Sequence, residues 1–204
     1  MNLVLLDHGA GNVTSVEHAL HRLGAIPQRT TAPASLATAD AIILPGVGHY
    51  SALIRALDEL QLRAPLIAAI QRGVPFLGIC LGLQALYQSS QEAPDLDGLG
   101  LLHGHVSSLP ARVKLPHMGW NQLELTRTSR LLGNISPDAF FYFAHSFAAT
   151  APNDEAVALC TYGTPFAAVI EHDNIHATQF HPEKSGAPGA QLLQNFLNLA
   201  ATNS

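Results

Sequence analysis

The sequence predicts an α/β fold: an open, mostly parallel sheet with helices on both faces and additional antiparallel strands in the second half. Up to Gln91, apolar runs of strand length alternate with segments of helical periodicity, a pattern typical of a parallel sheet. Those runs are apolar at successive positions, as in strands that are buried on both faces. After Gln91, short strand-like runs follow one another before a closing helix, which indicates antiparallel strands that complete the same unit.

Composition limits the class of protein. The chain has 204 residues, of which 48% are hydrophobic and 12% charged. That supplies a substantial core and excludes a disordered chain. The length predicts one domain over residues 1–204. The net charge of −5 and the lack of a basic run argue against nucleic acid as a partner.

Cysteine usage and hydropathy predict a cytoplasmic protein without membrane contact. Cys80 and Cys160 are the two cysteines, too few for a disulfide framework and suited to a reducing compartment. The first residues lack the charged region and cleavage site of a signal peptide. No apolar stretch approaches the roughly 20 residues that span a bilayer.

The elements of the first half place three loops on one rim. Strands are predicted at residues 2–7, 25–29, 40–44 and 74–79. Helices are predicted at residues 13–23, 50–60, 62–72 and 81–89, the first with Asn12 as its N-cap and Gly24 as its stop. Functional loops of parallel sheets lie at the carboxyl ends of strands. We therefore expect residues 8–12 (HGAGN), residues 45–48 (PGVG) and Cys80 to converge.

The second half is predicted to contain shorter strands around an irregular segment. Residues 94–100 and 114–120 are expected between strands. Strands are predicted at residues 100–109, 121–126, 139–143, 156–162, 166–171 and 175–180. Residues 190–200 form an amphipathic helix, because their apolar side chains recur on one helical face.

The stretch GICLGLQ, residues 78–84, predicts a nucleophile at a sharp strand-to-helix turn. Gly78 and Gly82 flank Cys80 at two residues on either side, and small residues there let strand and helix pack closely. A helix N-terminus behind the sulfur favours a thiolate. The alternative is a buried structural cysteine, which is a common role for a free thiol.

His181 is the candidate base for this thiol. Pro182 disfavours a helical backbone at His181, and in an extended chain residues two apart lie on the same side. Glu183 would then contact the imidazole and fix its tautomer. The alternative is that His181 and Glu183 are a polar pair on the surface. The apolar strand that leads into the motif argues against this alternative.

An oxyanion hole would complete the chemistry. The backbone N–H of Leu81 opens the predicted helix, and Val47 in the PGVG loop could supply the second donor. Taken alone, PGVG is only a tight turn.

These motifs resemble the class I (triad) glutamine amidotransferases. The resemblance implies a flavodoxin-like sheet, with Cys80 as nucleophile, His181 as general base and acid, and Glu183 as its orienting partner. No cofactor is expected. No metal is expected either, because His103 and His105 have no Cys, His or Asp partner at a recognised spacing. The glutamine-binding residues that the resemblance implies are Gly46, Val47, Gly48, Leu81, Gln84, His145, Ser146 and Phe147.

Further motifs are similar to the amidotransferase subunits of imidazole glycerol phosphate synthase within that family. They are DHGAGN (7–12), LPGVG (44–48), PHMGWN (116–121), YFAHSF (142–147) and QFHPEKS (179–185). The similarity implies that ammonia from glutamine passes to a (β/α)₈-barrel cyclase subunit, which activates the chain when it holds its ligand. The residues implied to meet that partner are Gly9, Gly11, Asn12, Met118, Trp120, Asn121 and Lys184.

Some positions depart from the family pattern or have other interpretations. His8 stands where tyrosine is usual, and His49 follows PGVG in place of a small residue. His145 could be a satisfied core histidine, Met118 a loop anchor, and Cys160 an inert buried thiol. Three other functions remain open: a different triad amidotransferase, serving for example pyridoxal phosphate or anthranilate synthesis, a non-catalytic regulatory partner, and a cysteine hydrolase or peptidase that acts alone.

Overall fold

A computed structural model describes residues 1–9, 12–150 and 155–202. The helices are α1 Val13–Arg22, α2 Tyr50–Glu59, α3 Arg63–Gln71, α4 Leu81–Gln84 and α5 Gly186–Thr202, with short 3₁₀ helices at Pro33–Ala37 and Pro182–Lys184. The strands are β1 Leu3–Leu6, β2 Gln28–Thr30, β3 Ala41–Gly46, β4 Phe76–Cys80, β5 Ser89–Ser90, β6 His105–Ser108, β7 His117–Asn121, β8 Glu124–Leu125, β9 Phe141–His145, β10 Phe147–Ala148, β11 Ala156–Tyr162, β12 Thr164–His172 and β13 Ile175–Thr178.

The central sheet confirms the predicted α/β class. Among the described residues it has eight strands in the order β2-β1-β3-β4-β13-β12-β11-β8. The first five are mutually parallel, whereas β12, β11 and β8 join in antiparallel pairings. The order β2-β1-β3-β4 is that of a flavodoxin-like doubly wound sheet. Strand ends at β1, β3, β4 and β13 therefore share one edge.

Two apolar layers cover the two faces of this sheet. Val4 and Leu6 of β1 belong to the layer under α2 and α3. Leu3 and Leu5 belong to the layer under α1 and α5. Successive residues of a strand point to opposite faces, so a strand buried on both sides must be apolar throughout. This explains the unbroken apolar runs in the sequence.

The helix predicted at residues 81–89 is wrong beyond Gln84. The carbonyl groups of Ala85 through Gln88 accept hydrogen bonds from backbone N–H groups of residues 98–102. These distant partners replace the bonds that would continue the helix. Local periodicity carries no information about such a long-range substitution.

The strands of the irregular segment also differ from prediction. Residues 114–120 were expected between strands, yet β7 occupies His117–Asn121 and pairs antiparallel with β9. The strands expected at residues 100–109 and 121–126 shorten to β6 and β8. Cross-strand pairing decides these boundaries. Within the described ranges, no helix has the length and apolar character needed to cross a membrane.

Candidate active site

The turn at Cys80 is a strained junction between β4 and α4. Cys80 has a φ angle of +54°, a left-handed value that costs a non-glycine residue about 1–3 kcal/mol. The flanking glycines allow the close packing. A Cβ atom on Gly78 would lie 2.6 Å from the Gly82 carbonyl oxygen, and one on Gly82 would collide with the carbonyl of Leu44. This turn sets Cys80 against a cavity at the carboxyl edge of the sheet.

The cavity has a volume of about 560 Å³, within the range of small-molecule sites. The residues that line it are Asn12, Val47, Gly48, Cys80, Leu81, Gln84, Glu92, Ala144, His145, Ser146, Phe147, His181 and Lys184. The three loops expected to converge therefore do so. Gly46 does not line the cavity but pairs in register with Cys80 at the end of β3.

His181 and Glu183 form a buried pair beside Cys80. The Nδ1 atom of His181 lies 2.9 Å from Oε1 of Glu183, and the two side chains are 3% and 1% exposed. The backbone of His181 is extended as predicted, with φ −100° and ψ 97°. The expectation that the chain stays extended to Glu183 is wrong, because Pro182–Lys184 forms a 3₁₀ turn that carries the carboxylate back to the imidazole.

Electrostatics favour a charged imidazole at His181. Burial alone would lower its pKa, but the charge and hydrogen bond of Cys80 and the carboxylate of Glu183 raise the pKa to about 10. The Nδ1–H donated to Glu183 leaves Nε2 for the sulfur. His181 therefore carries a proton near neutral pH, beside the sulfur of Cys80.

His145 in the cavity wall and His117 behind it form a pair of neutral histidines. His145 donates from Nδ1 to the Phe147 carbonyl at 2.9 Å, and its Nε2 lies 3.1 Å from Nδ1 of His117. His117 stacks between the rings of Phe143 and Tyr162. Burial lowers the pKa of His145 to about 3 and that of His117 to about 4. These bonds fix His145 as a neutral wall residue.

Gln84 uses its amide nitrogen inside the protein. Nε2 donates to the Phe147 carbonyl at 2.8 Å and to Oε1 of Gln179 at 3.1 Å. Its Oε1 atom is buried and has no partner among the described residues. Among the polar atoms of Gln84, Oε1 therefore remains available to accept a hydrogen bond.

Three residues at the site were missed by the sequence reasoning: Gln179, Glu92 and His117. Gln179 directly follows β13 and reaches the sulfur of Cys80. Its spacing of two from His181 could have indicated a shared face. Glu92 is the one acidic side chain in the described cavity lining, and it accepts a hydrogen bond from the Tyr50 N–H at 2.9 Å. Glu92 lies in a loop, and the sequence around it contains no pattern that indicates a functional residue.

The PGVG loop is tied to the end of β1 by His8. Its Nε2 donates to the Pro45 carbonyl at 2.7 Å, and burial lowers the pKa of His8, so the ring is neutral. Val47 and Gly48 follow this anchor and line the cavity opposite Leu81. His49 is the N-cap of α2 and accepts from the Ser51 N–H. Both unusual histidines thus hold the flanks of the loop.

Of the residues predicted to meet a partner, two line the cavity and two present exposed large apolar side chains. Asn12 and Lys184 line the cavity, and Gly9 is exposed nearby in sequence. Met118 and Trp120 are 65% and 55% exposed. Trp120 contacts the ring of Tyr142, and Lys184 lies over the same ring. Asn121 donates to the Thr161 carbonyl, and Gly11 lies outside the described residues.

Cys160 lies apart from this chemistry in β11. Burial raises the pKa of its thiol to about 12, with no charged group opposing that shift. The thiol therefore stays protonated. In the portions of the chain that the structure covers, no group of three or more His, Cys, Asp or Glu side chains is arranged to hold a metal ion.

Comparison with known proteins identifies the family. The family model "Glutamine amidotransferase class-I" matches residues 4–200. The chain therefore belongs to the class I glutamine amidotransferases. The imidazole glycerol phosphate synthase subunit HisH of Methanothermobacter thermautotrophicus is 47% identical over 197 residues, covering 97% of this chain and 98% of that protein. HisH of Salinibacter ruber is 41% identical, covering 97% and 94%.

Solved structures with low sequence identity share the fold. A crystal structure of a glutamine amidotransferase superposes with a TM-score of 0.78 at 20% identity, covering 98% of this chain and 100% of the other. The PurLQS structure from Thermotoga maritima gives 0.76 at 21% identity, covering 97% and 98%. At such identity the likeness extends to architecture alone.

Proposed function

We propose that the chain is the glutamine-hydrolysing subunit of an imidazole glycerol phosphate synthase, built as one amidotransferase domain over residues 1–204. The observation that carries the proposal is the thiol of Cys80 beside His181, whose ring is paired with the buried Glu183. Similarity to HisH subunits along nearly the full length supports the choice within the family.

Hydrolysis proceeds through a thioester. The Cys80 thiolate attacks the carboxamide carbon of glutamine, and the N–H groups of Val47 and Leu81 receive the developing oxyanion. His181 gives its proton to the departing ammonia, which leaves a glutamyl thioester. Neutral His181 then takes a proton from water as the water oxygen attacks. The C–S bond breaks, glutamate leaves and the thiolate and imidazolium pair is restored.

Cavity walls supply the contacts that an amino acid needs. Glu92 faces the α-ammonium group as a carboxylate acceptor. The unpartnered Oε1 of Gln84 takes a further hydrogen bond from the substrate. The backbone of Ser146 and Phe147, beside His145 and the loop from Gly46 to Gly48, binds the α-carboxylate and the carboxamide.

A (β/α)₈-barrel cyclase subunit receives the ammonia and forms imidazole glycerol phosphate and aminoimidazole carboxamide ribotide. The surface for it consists of Gly9, Gly11, Asn12, Met118, Trp120, Asn121 and Lys184. Met118 and Trp120 are exposed large apolar side chains on β7, and its partner strand β9 carries Ala144 and His145 of the cavity lining. Such exposed apolar side chains are typical of an interaction site. Ammonia released at Cys80 then leaves toward that face.

Glutamine hydrolysis with and without the cyclase tests this function. We expect the isolated chain to be slow and the complex with ligand-bound cyclase to be fast. Cys80→Ala should lower the rate at least about 10³-fold, while Cys160→Ala retains it. Trp120→Ala should weaken stimulation by the cyclase. Full activity in Cys80→Ala would refute the mechanism, and brisk hydrolysis by the chain alone would refute its dependence on the partner.

A further inference from the structure

The sulfur of Cys80 has a polar neighbour besides His181. The Nε2 atom of Gln179 lies 3.6 Å from Cys80 Sγ with the geometry of a hydrogen bond. Gln179 is completely buried, and its backbone N–H is held by the Ala168 carbonyl at 2.9 Å. Because it directly follows β13, the same strand end delivers the amide and the imidazole to one sulfur. None of the roles proposed above uses this amide.

A backbone carbonyl sets the direction of the Gln179 amide. The Phe147 carbonyl can only accept, so Gln84 must turn its NH₂ group toward it. The same NH₂ group donates its other hydrogen to Oε1 of Gln179. With Oε1 committed in this way, the NH₂ group of Gln179 faces the sulfur. His145 donates to the same Phe147 carbonyl and thereby anchors the chain of bonds at its start.

We propose that Gln179 donates a hydrogen bond that stabilises the Cys80 thiolate, and that Gln84 is the residue that positions this donor. The inference rests on the proposed role of Cys80 as nucleophile. Cys80 packs in an apolar cluster, where a thiolate without water depends on protein donors. His181 supplies one donor and Gln179 the second.

The two donors have different tasks during turnover. The imidazolium of His181 gives up its proton to the leaving ammonia, so its charge is absent while the thioester persists. An amide does not titrate, and the N–H of Gln179 stays in place. When water attacks the thioester, the electrons of the C–S bond return to sulfur, and Gln179 already faces the charge that develops there.

Alkylation of Cys80 tests this assignment without glutamine or partner. In a Cys160→Ala background, Cys80 is the sole thiol, and its rate of reaction with iodoacetamide is measured from pH 5 to 10. Gln179→Asn keeps an amide but withdraws it by one methylene, and Gln179→Met fills the space without a donor. Both should have profiles displaced upward by about one pH unit, with a loss of rate that approaches about 10-fold below the midpoint of the parent profile.

The rate at the high-pH plateau distinguishes the loss of a hydrogen-bond donor from a change in the access of iodoacetamide to the sulfur. At high pH the thiol ionises in every variant, so the plateau rates should equal that of the parent or exceed it by up to about 3-fold, because a thiolate of higher pKa is more nucleophilic. Blocked access to the sulfur would instead lower the plateau. Gln84→Met should displace the profile in the same direction by less. Gln194→Met, which removes an exposed amide paired with Asn198 on α5, should leave it unchanged.

Coincident profiles for the parent and a folded Gln179 variant, with folding checked by circular dichroism, would overturn the assignment. If neither Gln179 variant folds, Gln84→Met decides, and an undisplaced profile there overturns the positioning chain. Because the measurement needs no substrate, a displaced profile with no glutaminase activity would refute the proposed function while leaving the donor assignment intact.

Discussion

Cys80 and Cys160 belong to the same hydrophobic cluster and are 4% and 1% exposed, but their surroundings differ. Cys80 ends β4 and faces the NH₂ group of Gln179 and the imidazole of His181. Cys160 lies inside β11, opposite Phe166 of β12, where burial raises the pKa of its thiol to about 12. From this difference we expect the groups that face a buried sulfur, and not burial alone, to decide whether the thiol ionises.

Position along the strand explains the contrast. A residue within a strand has neighbours that are themselves strand residues, and at Cys160 these are apolar. The carboxyl end of a parallel strand meets the loops of its neighbours. Cys80 therefore lies between the ends of β3 and β13, and the segment after β13 brings both Gln179 and His181 to the sulfur.

The largest expected effect of this difference is on the rates at which the two cysteines are alkylated. In the folded chain at pH 7, iodoacetamide should modify Cys80 at least about 10³-fold faster than Cys160, since only the thiolate reacts and Cys160 stays protonated. Peptide mass spectrometry after timed quenching measures the two rates. In urea the two rates should converge. Comparable native rates would mean that the two environments do not control ionisation.

The sequence predicted much of this arrangement because its signals were local. The flanking glycines of Cys80 and the proline after His181 act on their immediate neighbours, and the unbroken apolar runs identified the parallel strands. The chain of amides from Phe147 through Gln84 to Gln179 was not predictable, since it joins residues as far as 95 positions apart. The end of α4 was missed for the same reason.

Glu183→Gln tests whether the carboxylate of Glu183 keeps His181, the base that faces Cys80, protonated. Loss of the carboxylate removes one of the two groups that raise the pKa of His181 to about 10. We expect glutamine hydrolysis to fall about 10- to 100-fold. The imidazolium must protonate ammonia, so the wild-type rate should persist until about pH 10 and then decline. In the variant this alkaline decline should begin at lower pH.

Measurement of kcat at saturating glutamine from pH 6 to 10.5 in the cyclase complex checks both expectations, because kcat reports groups in the enzyme–substrate complex and not the α-ammonium group of free glutamine. Glu17→Gln, which alters a carboxylate at α1 paired with Arg29, is the matched control and should retain the wild-type profile. An alkaline limb at the same pH in Glu183→Gln would show that the carboxylate does not hold the proton on His181.

The smallest expected effect is the pH dependence of stability that comes from His117 and His145. These two rings are buried without the charged partners that His181 has, just as Cys160 lacks the polar neighbours of Cys80. Burial places the pKa of His117 at about 4 and that of His145 at about 3, below the ordinary value of about 6.5. Between these values the unfolded chain binds protons that the folded chain does not. The free energy of unfolding should therefore fall as the pH drops from about 6.5 to 4, by on the order of 3 kcal/mol for each ring.

His117→Phe tests this by retaining a ring between Phe143 and Tyr162 while removing a titrating group. The variant should lose about 1–2 kcal/mol at pH 7.5, because Nε2 of His145 loses its donor. Its stability should then decline less steeply toward pH 4.5 than that of the wild type, as measured by urea unfolding at several pH values. His18→Gln, at an exposed position of α1, should keep the wild-type slope. Since His8 and His176 also have pKa values lowered by burial, the slope should shrink without vanishing; an unchanged slope would place the acid sensitivity elsewhere.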